Sequence, residues 1–358
     1  MAMASLLFIS RNMDRAEVDA VLAAQAAGLP ICAMTRPDNA GVDRLREAGC
    51  YREPVEYGGK FSWGLTRQLR RLYDEQSIVA VYASDNKSLA NALRAGRGRS
   101  LRFAGYRGTL ARIRWWDPSY RMALLHPRVE RIVCVNRSIH EYMQRFRRPE
   151  QLVLAYKGYG VDWAEELQDA SRNLPVSLPE NAWVLCYIAN TRDRPHKGLR
   201  ELLMAMHMVR NLSVHLVMIG SHDAAAQQWA AAGPAAERIH LLGEQPQASR
   251  YLRHAHAYIL PSTRDGLPRS IKEAMAQGLP CIITDIPGPS ELIEDEVSGL
   301  LVPPSQAQAM AAAIDRLAND ADLCARLGGA GRQRLQQSFP PEAFSNALLA
   351  LWKDLLSS

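Results

Sequence analysis

The chain has 358 residues, a length typical of two domains. With 47% apolar and 22% charged residues, its composition is that of a globular protein and excludes a chain that is disordered throughout. The 23 glycines and 20 prolines follow no period, which excludes collagen-like and low-complexity classes.

The net charge of +6 is unevenly distributed along the chain. Residues 1–165 carry +9, whereas residues 166–358 carry −3. Arginines are concentrated in the segment 97–148, where acidic residues are few. A basic field of this kind attracts phosphate-rich partners, namely an anionic membrane surface, nucleic acid or a pyrophosphate-linked acceptor. Trp115 and Trp116 lie inside it and suit a membrane interface, a sugar platform or a core. A solvated arginine-rich face is the simpler alternative.

No uncharged apolar run reaches the length of a membrane span, and the N-terminus lacks the basic start of a signal peptide. These features predict a cytoplasmic protein, peripheral on the inner membrane face if the basic field binds lipid. The six cysteines are far apart and form no C-x-x-C pair. We therefore expect buried thiols, with no zinc site and no disulfide framework.

Apolar strand-like runs alternate with helical patterns in the first half of the chain. Because continuous apolar strands alternating with helices are typical of a parallel sheet covered on both faces, a doubly wound α/β domain is predicted. The runs are Ser5–Ser10, Pro30–Met34, Ser77–Ser84, Arg131–Val135 and Gln151–Tyr156.

The alternation pauses at residues 157–182, which have turn residues and no apolar period and are interpreted as a linker. It then restarts with runs at Trp183–Ala189, Val214–Gly220, Arg238–Gly243, His256–Leu260 and Pro280–Asp285. We predict two Rossmann-like domains that face a cleft, 1–165 with about 340–358 and 166–339. The last helix would cross back to the first domain.

The segment Tyr258–Pro304 is the most informative. A strand is followed by a loop with Asp265, and Pro268 suits the first turn of a helix. Glu273 lies about a turn and a half into that helix, where its carboxylate can accept hydrogen bonds from vicinal ribose hydroxyls. Backbone N–H groups at a helix start form an anion site, here those of Gly266, Leu267 and Arg269.

This segment resembles the donor-binding motif of glycosyltransferase family 4, a retaining family with the GT-B fold. The match includes Pro261, Ser262, Asp265, Gly266, Pro268, Glu273, Ala274, Met275, Ala276, Gly278, Pro280, Thr284, Gly288, Glu291, Gly299, Leu301, Val302, Pro303 and Pro304. Asp265 stands where the family usually has Glu, so its reach is one methylene shorter. The resemblance implies that Glu273 holds the donor ribose, that Asp265 lies near a sugar hydroxyl, and that the amides of Gly266 and Leu267 lie near the sugar and diphosphate. Pro268 and Arg269 of the same turn are also expected on the donor side.

A second match lies upstream, where Arg192 stands five residues before Lys197-Gly198, as in the family's G-R-x(4)-K-G. Arg194 is a rival for the arginine role. A diphosphate leaving group gains negative charge as the glycosyl bond breaks, and an arginine–lysine pair stabilises that charge without a metal. Gly220 and Leu242 end the next two strands and are expected on the donor side.

The first domain resembles the family only loosely. The family's Gly-Gly turn after the first strand is replaced by residues that include Arg11, and Tyr106-Arg107 stand in a segment where many members have His-Gly. We expect these three residues and Asp85 on the acceptor side. Lys157 replaces the Asn of the motif that ends the family's first domain.

The resemblance implies a metal-independent hexosyltransferase without a cofactor, with a nucleotide sugar as donor. The acceptor would be a glycan or a lipid-linked hydroxyl in bacterial polysaccharide or lipopolysaccharide biosynthesis. The alternatives are a nucleotide-sugar epimerase or a phosphorylase of the same fold. A nucleic-acid-binding protein is a third possibility, but no RNA-binding module or helix-turn-helix is recognisable, so nucleic acid is not expected as a partner.

Overall fold

A computed structural model describes residues 4–55, 59–113, 117–165 and 173–357. The chain forms two compact units, Met1–Gly158 with Pro341–Ser358, and Tyr159–Pro340. In the described part of the chain, no helix is long and apolar enough to cross a membrane.

The first unit is built on a seven-stranded parallel sheet with the order β3-β2-β1-β4-β5-β6-β7. The central strand β1 is buried on both faces, and Leu6 pairs with Ile31 on one side and Ala80 on the other. The strands are β1 (Ser5–Ile9), β2 (Ile31–Met34), β3 (Tyr51–Arg52), β4 (Ile78–Ala83), β5 (Arg102–Arg107), β6 (Val129–Cys134) and β7 (Leu152–Leu154).

Helices connect these strands as crossovers. Side-chain caps begin several of them, as at α4, where Asp85 accepts hydrogen bonds from the Lys87 and Ser88 amides. The helices are α1 (Arg15–Ala26), α2 (Val42–Glu47), α3 (Trp63–Glu75), α4 (Asn86–Ala95), α5 (Pro118–Arg121) and α6 (Arg137–Met143).

The second unit is built on a six-stranded parallel sheet with the order β10-β9-β8-β11-β12-β13. Its interior strands β9, β11 and β12 consist entirely of buried residues, as expected for a sheet covered on both faces. The strands are β8 (Trp183–Ile188), β9 (Val214–Ile219), β10 (Ile239–Leu241), β11 (Ala257–Leu260), β12 (Cys281–Thr284) and β13 (Leu300–Val302).

The second unit also contains six α-helices among its described residues. The longest, α12, packs against the helix that follows the predicted donor loop. They are α7 (Val161–Glu165), α8 (Leu199–Met206), α9 (Ala224–Ala231), α10 (Arg269–Ala276), α11 (Ala307–Ala318) and α12 (Ala321–Ser338).

The last helix, α13 (Pro341–Ser357), packs on α1 of the first unit and confirms the predicted return of the chain. Its Trp352 is fully buried. The Trp352 ring meets those of Phe8 and Tyr82 edge-on, with both pairs of ring centroids 5.8 Å apart. Aromatic edge contacts of this kind add to the stabilisation from burial.

Three strands escaped the sequence analysis. The strand β3 has only two residues, β5 begins and ends with arginine, and β13 lies inside the donor motif. The helix α7 occupies part of the predicted linker, of which residues 166–172 lie outside the described residues. The first unit ends at Gly158 rather than at residue 165. Tyr159, the first residue of the second unit, donates its N–H to the carbonyl of Phe339 in the same unit (3.1 Å).

Replacement of Trp352 by alanine tests the attachment of α13. Because a fully buried ring is removed, Trp352→Ala should lower the free energy of unfolding by about 3–5 kcal/mol in urea titrations. The matched control is Trp63→Ala, since Trp63 is 78% exposed and its loss should change stability by less than about 0.5 kcal/mol. Equal losses in the two variants would contradict the packing of α13.

Candidate functional site

The predicted donor-side residues lie at the carboxyl edge of the second sheet. Parallel strands end at the same edge, so the loops after β8, β9 and β11 are brought together there. The loop after β8 contains Arg192 and Lys197, the loop after β9 begins at Gly220, and the loop after β11 contains Asp265.

Gly198 permits a close approach between the loops after β8 and β11. Its φ is 72°, a left-handed conformation that favours glycine, and a Cβ there would overlap the carbonyl oxygen of Pro261. The Thr263 amide donates to the His196 carbonyl (2.8 Å), and the Tyr187 hydroxyl donates to that of Lys197 (2.8 Å). The backbone that carries Lys197 is therefore fixed against the loop after β11.

Lys197 and Asp265 form an ion pair with 2.6 Å between Nζ and Oδ2. Each side chain is 18% exposed, so the pair is largely shielded from solvent but still reachable. The other oxygen of Asp265 accepts the Gly266 amide (3.0 Å). Two residues that are 68 positions apart in the sequence are thus in direct contact.

Two details of the predicted anion site need correction. The Gly266 amide, expected to point outward, donates to the Asp265 side chain that precedes it. Pro268, expected in the first helical turn, occupies the N-cap position, and α10 begins at Arg269. An aspartate side chain can accept a hydrogen bond from a neighbouring backbone amide, which is then not free for a ligand. The spacing of residues in the sequence does not reveal such a contact.

Glu273 lies on α10 and is buried. Its Oε1 is 2.8 Å from Nε of Arg269, which is one helical turn earlier and mostly exposed. Burial raises the pKa of the Glu273 carboxyl above its ordinary value, and the Arg269 guanidinium opposes that rise. Glu273 is thus a buried carboxylate with a cationic partner, unlike an ordinary solvated glutamate on a helix surface.

Arg192 lines a cavity of about 470 Å³ with Ser221, His222, Asp223, Ala224, Gln227, Gly243 and Glu244. Arg194 lines a different cavity of about 380 Å³ with Trp229 and Arg200. The two cavities share Asp223 of the loop after β9, but only the one lined by Arg192 also includes the loop after β10.

Gly220 and Leu242 shape the same edge through their backbones. The φ of Gly220 is 134°, and a Cβ there would overlap the carbonyl oxygen of Ala189. The Gly220 amide donates to the Gly243 carbonyl (2.8 Å), and the Leu242 amide donates to that of Met218 (2.9 Å). Gly220 also lines a cavity of about 330 Å³ with Asn190, Glu244 and Gln245 among others.

In the first unit, Asp85 and Arg11 contact each other. The Arg11 amide donates to Asp85 Oδ2 (2.8 Å), and the same oxygen accepts the Ser88 hydroxyl (2.6 Å). With its other oxygen capping α4, the Asp85 carboxylate is engaged on both sides. Asp85 therefore holds the turn after β1 against α4. The sequence predicted Asp85 on the acceptor side and did not predict this structural role.

Tyr106 and Arg107 lie at the end of β5. Arg107 is buried, donates to the Ala111 carbonyl and lies 5.5 Å from the centre of the Tyr120 ring. Its guanidinium thus holds the following loop and is less available to an acceptor than the sequence suggested. Tyr106 faces Lys157, whose Nζ lies 4.7 Å from the centre of the Tyr106 ring.

The sequence analysis did not predict an ionic cluster in the first unit, in which Glu17 and Lys157 are shielded and Asp14 is partly exposed. Lys157 Nζ lies 2.7 Å from Asp14 Oδ2 and 2.8 Å from Glu17 Oε1. Asp14 and Glu17 also form the capping box of α1, directly after β1. The D-x-x-E spacing after the first strand was the available signal, but its lysine partner is 140 residues away.

Burial and charge act together in this cluster. Burial raises the pKa of the Glu17 carboxyl from 4.5 to about 7, although Lys157 opposes the rise. Burial alone would lower the pKa of Lys157, but Glu17, Tyr106 and Asp14 raise it well above its ordinary value. Lys157 therefore stays protonated, and Glu17 changes its charge near neutral pH.

The arginines of the segment 97–148 largely serve the fold of the first unit. Arg102 pairs with Glu130 (2.8 Å), Arg131 pairs with Asp354 (3.2 Å), and Arg147 donates to two carbonyl groups. Arg128 likewise donates to the carbonyls of Gly96, Arg99 and Leu101. Trp115 and Trp116 lie outside the described residues.

No group of three or more His, Cys, Asp or Glu side chains among the described residues is arranged to hold a metal ion. All six cysteines are unpaired, and five of them are buried.

Comparisons with known proteins bear on the family and on the fold of the chain. Residues 175–334 match the family of glycosyl transferases group 1, so the second unit contains a domain of that family, and the resemblance seen in Tyr258–Pro304 is confirmed. The chain is similar to the amylovoran biosynthesis glycosyltransferase AmsK of Erwinia amylovora, with 37% identity over 140 residues, which are 36% of this chain and 34% of that protein. It is also similar to the lipopolysaccharide core biosynthesis glycosyltransferase LpsD of Rhizobium meliloti (strain 1021), with 28% identity over 177 residues, 49% of this chain and 51% of that protein. The chain thus spans about a third to a half of these relatives.

Solved structures extend the likeness to both units. The Anabaena protein Alr3699/HepE in complex with UDP matches with a TM-score of 0.78 and 17% identity, over 98% of this chain and 100% of that one. A glycosyltransferase from Rickettsia africae matches with a TM-score of 0.80 and 15% identity, over 99% of both chains. The predicted GT-B fold is therefore confirmed.

The titration of Glu17 predicts a pH dependence of stability. Because its pKa is raised on folding, the unfolded chain loses this proton first, so stability falls as the pH rises from about 4.5 to 7. Between pH 5 and 8, the free energy of unfolding of the parent protein should fall by about 1–3 kcal/mol more than that of Glu17→Gln, as measured in urea titrations. A constant difference between the two proteins across this range would show that Glu17 ionises normally.

Proposed function

We propose that this chain transfers a hexosyl group from a nucleoside-diphosphate sugar to a hydroxyl of a glycan or lipid-linked acceptor. The products would serve the biosynthesis of a bacterial cell-surface polysaccharide or lipopolysaccharide. The observation that carries the proposal is the Lys197–Asp265 pair, fixed beside the Gly266 amide within a glycosyl transferases group 1 domain.

The donor diphosphate would bind to cations at the carboxyl edge of the second sheet. Lys197 offers three N–H donors on a fixed backbone, and Arg192 offers a planar guanidinium in the cavity next to the loop after β9. As the glycosyl bond breaks, negative charge builds on the diphosphate, and both cations stabilise it. This charge stabilisation needs no metal ion.

Asp265 and Glu273 would orient the sugar and the ribose. Arrival of the diphosphate would draw Lys197 partly away from Asp265, which frees carboxylate lone pairs and the Gly266 amide for the donor sugar. The exposed Arg269 would likewise turn outward, so that buried Glu273 could accept two ribose hydroxyls. In the free protein, each carboxylate is held by an internal cation. When the donor binds, its phosphates and hydroxyl groups would take over these contacts, so the donor itself would complete the arrangement of the site.

The reaction proposed is a displacement on the front face, with retention of the anomeric configuration. An oxygen of the leaving diphosphate would take the proton of the acceptor hydroxyl, so the protein supplies charge stabilisation and positioning rather than a nucleophile. The relatives include a galactosyltransferase of Escherichia coli named for a diphosphoundecaprenol acceptor, which makes a lipid-linked acceptor at a membrane the natural choice.

Replacement of Lys197 by alanine tests the role of the charge. We expect kcat/KM for sugar transfer to fall by about 100-fold or more, since single electrostatic donors at a developing anion contribute about that much. Lys353→Ala, on the exposed side of α13, is the matched control and should be unchanged. Full activity of Lys197→Ala would contradict the proposed mechanism.

Nucleotide binding tests the donor site independently of the acceptor. Among UDP, GDP and ADP, at least one should raise the melting temperature of the chain, because a ligand that binds only the folded state stabilises it by mass action. The rise should be smaller in Lys197→Ala and in Arg192→Ala, whereas Arg194→Ala should match the parent protein. No shift with any nucleotide at millimolar concentration would contradict the proposed donor class.

A further inference from the structure

An exposed aromatic patch lies on the first unit, defined here as Val55, Phe61 and Trp63. These large apolar side chains are 66%, 53% and 78% exposed, respectively, and occur within nine positions of one another. Single exposed apolar residues are common, but a contiguous group indicates a surface that contacts something other than water. Gly64 brings Val55 to the start of α3, since a Cβ there would be 3.7 Å from the Val55 side chain.

Two polar side chains, half-buried Gln68 and buried Asn91, hold this patch in place. Gln68 accepts the Val55 amide (2.9 Å) and donates to the Glu53 carbonyl (2.7 Å). Asn91 accepts the Ser62 amide (2.9 Å) and donates to the Gly59 carbonyl (3.1 Å). The backbone on both sides of Phe61 is thus anchored to α3 and α4, so the rings are presented outward by a fixed frame.

The patch is surrounded by positive charge. The Arg94 guanidinium lies 4.2 Å from the centre of the Phe61 ring and 5.5 Å from that of Trp63. The exposed face of α3 continues from Trp63 with arginines at positions 67, 70 and 71, which form no ion pair among the described residues. The first turn of α3 contains no acidic residue.

Two of the nearby acidic side chains are paired with other arginines, and Glu75 lies at the far end of α3 from the patch. Asp74 accepts two hydrogen bonds from Arg99, at 3.0 and 2.8 Å, and Glu53 lies 3.8 Å from Arg46. The start of α3 therefore presents apolar rings and unpaired cations together. Amphipathic elements that combine these two features bind the interface of anionic bilayers, with rings at the boundary between headgroups and acyl chains.

We propose that the aromatic patch inserts into the interfacial region of an anionic lipid bilayer, with Arg67, Arg70 and Arg71 on the lipid phosphates. This contact deepens the proposed function, because it would hold the chain where a lipid-linked acceptor lies. We favour this surface over the segment 97–148 as the membrane-binding surface, since several arginines of that segment pair with carboxylates or donate to carbonyls within the first unit.

The test is co-sedimentation of the full chain with vesicles, in the absence of donor and acceptor. Phosphatidylcholine vesicles with 30% phosphatidylglycerol should bind the chain at low salt, and binding should weaken at 0.5 M NaCl. The triple variant Arg67→Gln/Arg70→Gln/Arg71→Gln should lower the partition coefficient by about 100-fold, at about fivefold for each basic residue. Trp63→Ser should lower it by about tenfold or more.

Two matched controls separate this surface from the rest of the chain. Arg97→Gln/Arg112→Gln/Arg121→Gln removes three exposed arginines of the basic field, and Leu212→Ser removes an apolar side chain that is 75% exposed in the second unit. Neither should change the partition coefficient by more than about twofold. Absence of binding at low salt, or a larger loss from the 97/112/121 variant than from the 67/70/71 variant, would overturn the proposal.

The outcome is independent of the proposed transfer reaction. Nucleotide-induced stabilisation should be equal in the parent protein and in all four variants, which also shows that each variant is folded. Vesicle binding without any nucleotide response would support the aromatic patch and contradict the proposed function. A nucleotide response without vesicle binding would do the reverse.

Discussion

The contact between the loops that follow β8 and β11 is the constraint on which the candidate donor site depends. These strands are neighbours in the second sheet, and their loops touch backbone to backbone where Gly198 meets Pro261. Any side chain at that glycine would push the loops apart and separate Lys197 from Asp265. The close approach of Lys197 and Asp265 thus depends on the missing Cβ of Gly198 as well as on their opposite charges.

The arrangement of this site could be predicted from the sequence only in part. The donor motif placed Lys197 and Asp265 in one pocket because each follows a strand of the same sheet. It did not predict that Asp265 would also take the Gly266 amide, nor that Arg269 would pair with Glu273. Such choices depend on distances of a few tenths of an ångström, which spacing in a sequence does not encode.

The fold shows the same division. Long apolar runs such as those of β1, β4 and β9 identified the buried parallel strands. A strand that is covered on both faces is apolar at nearly every position, so it stands out in the sequence. The edge strands β3 and β13 are two and three residues long and depend on their neighbours for definition. The cluster of Lys157 with Asp14 and Glu17 joins positions about 140 residues apart, which only the tertiary fold brings together.

The number of arginines in a segment did not predict how many of them are available to bind a partner. The arginines of the segment 97–148 gave the first domain its basic character, yet several of them donate to carbonyl oxygens or pair with carboxylates inside that unit. Pairing with a carboxylate cancels most of an arginine's charge at a distance, and an arginine that donates to carbonyls has fewer N–H groups left for a partner. The α3 arginines are fewer, but they are exposed and lie next to apolar rings. Since a ring that is 78% exposed contributes little to folding, Trp63 is better explained by a surface that becomes buried on binding than by the stability of the chain.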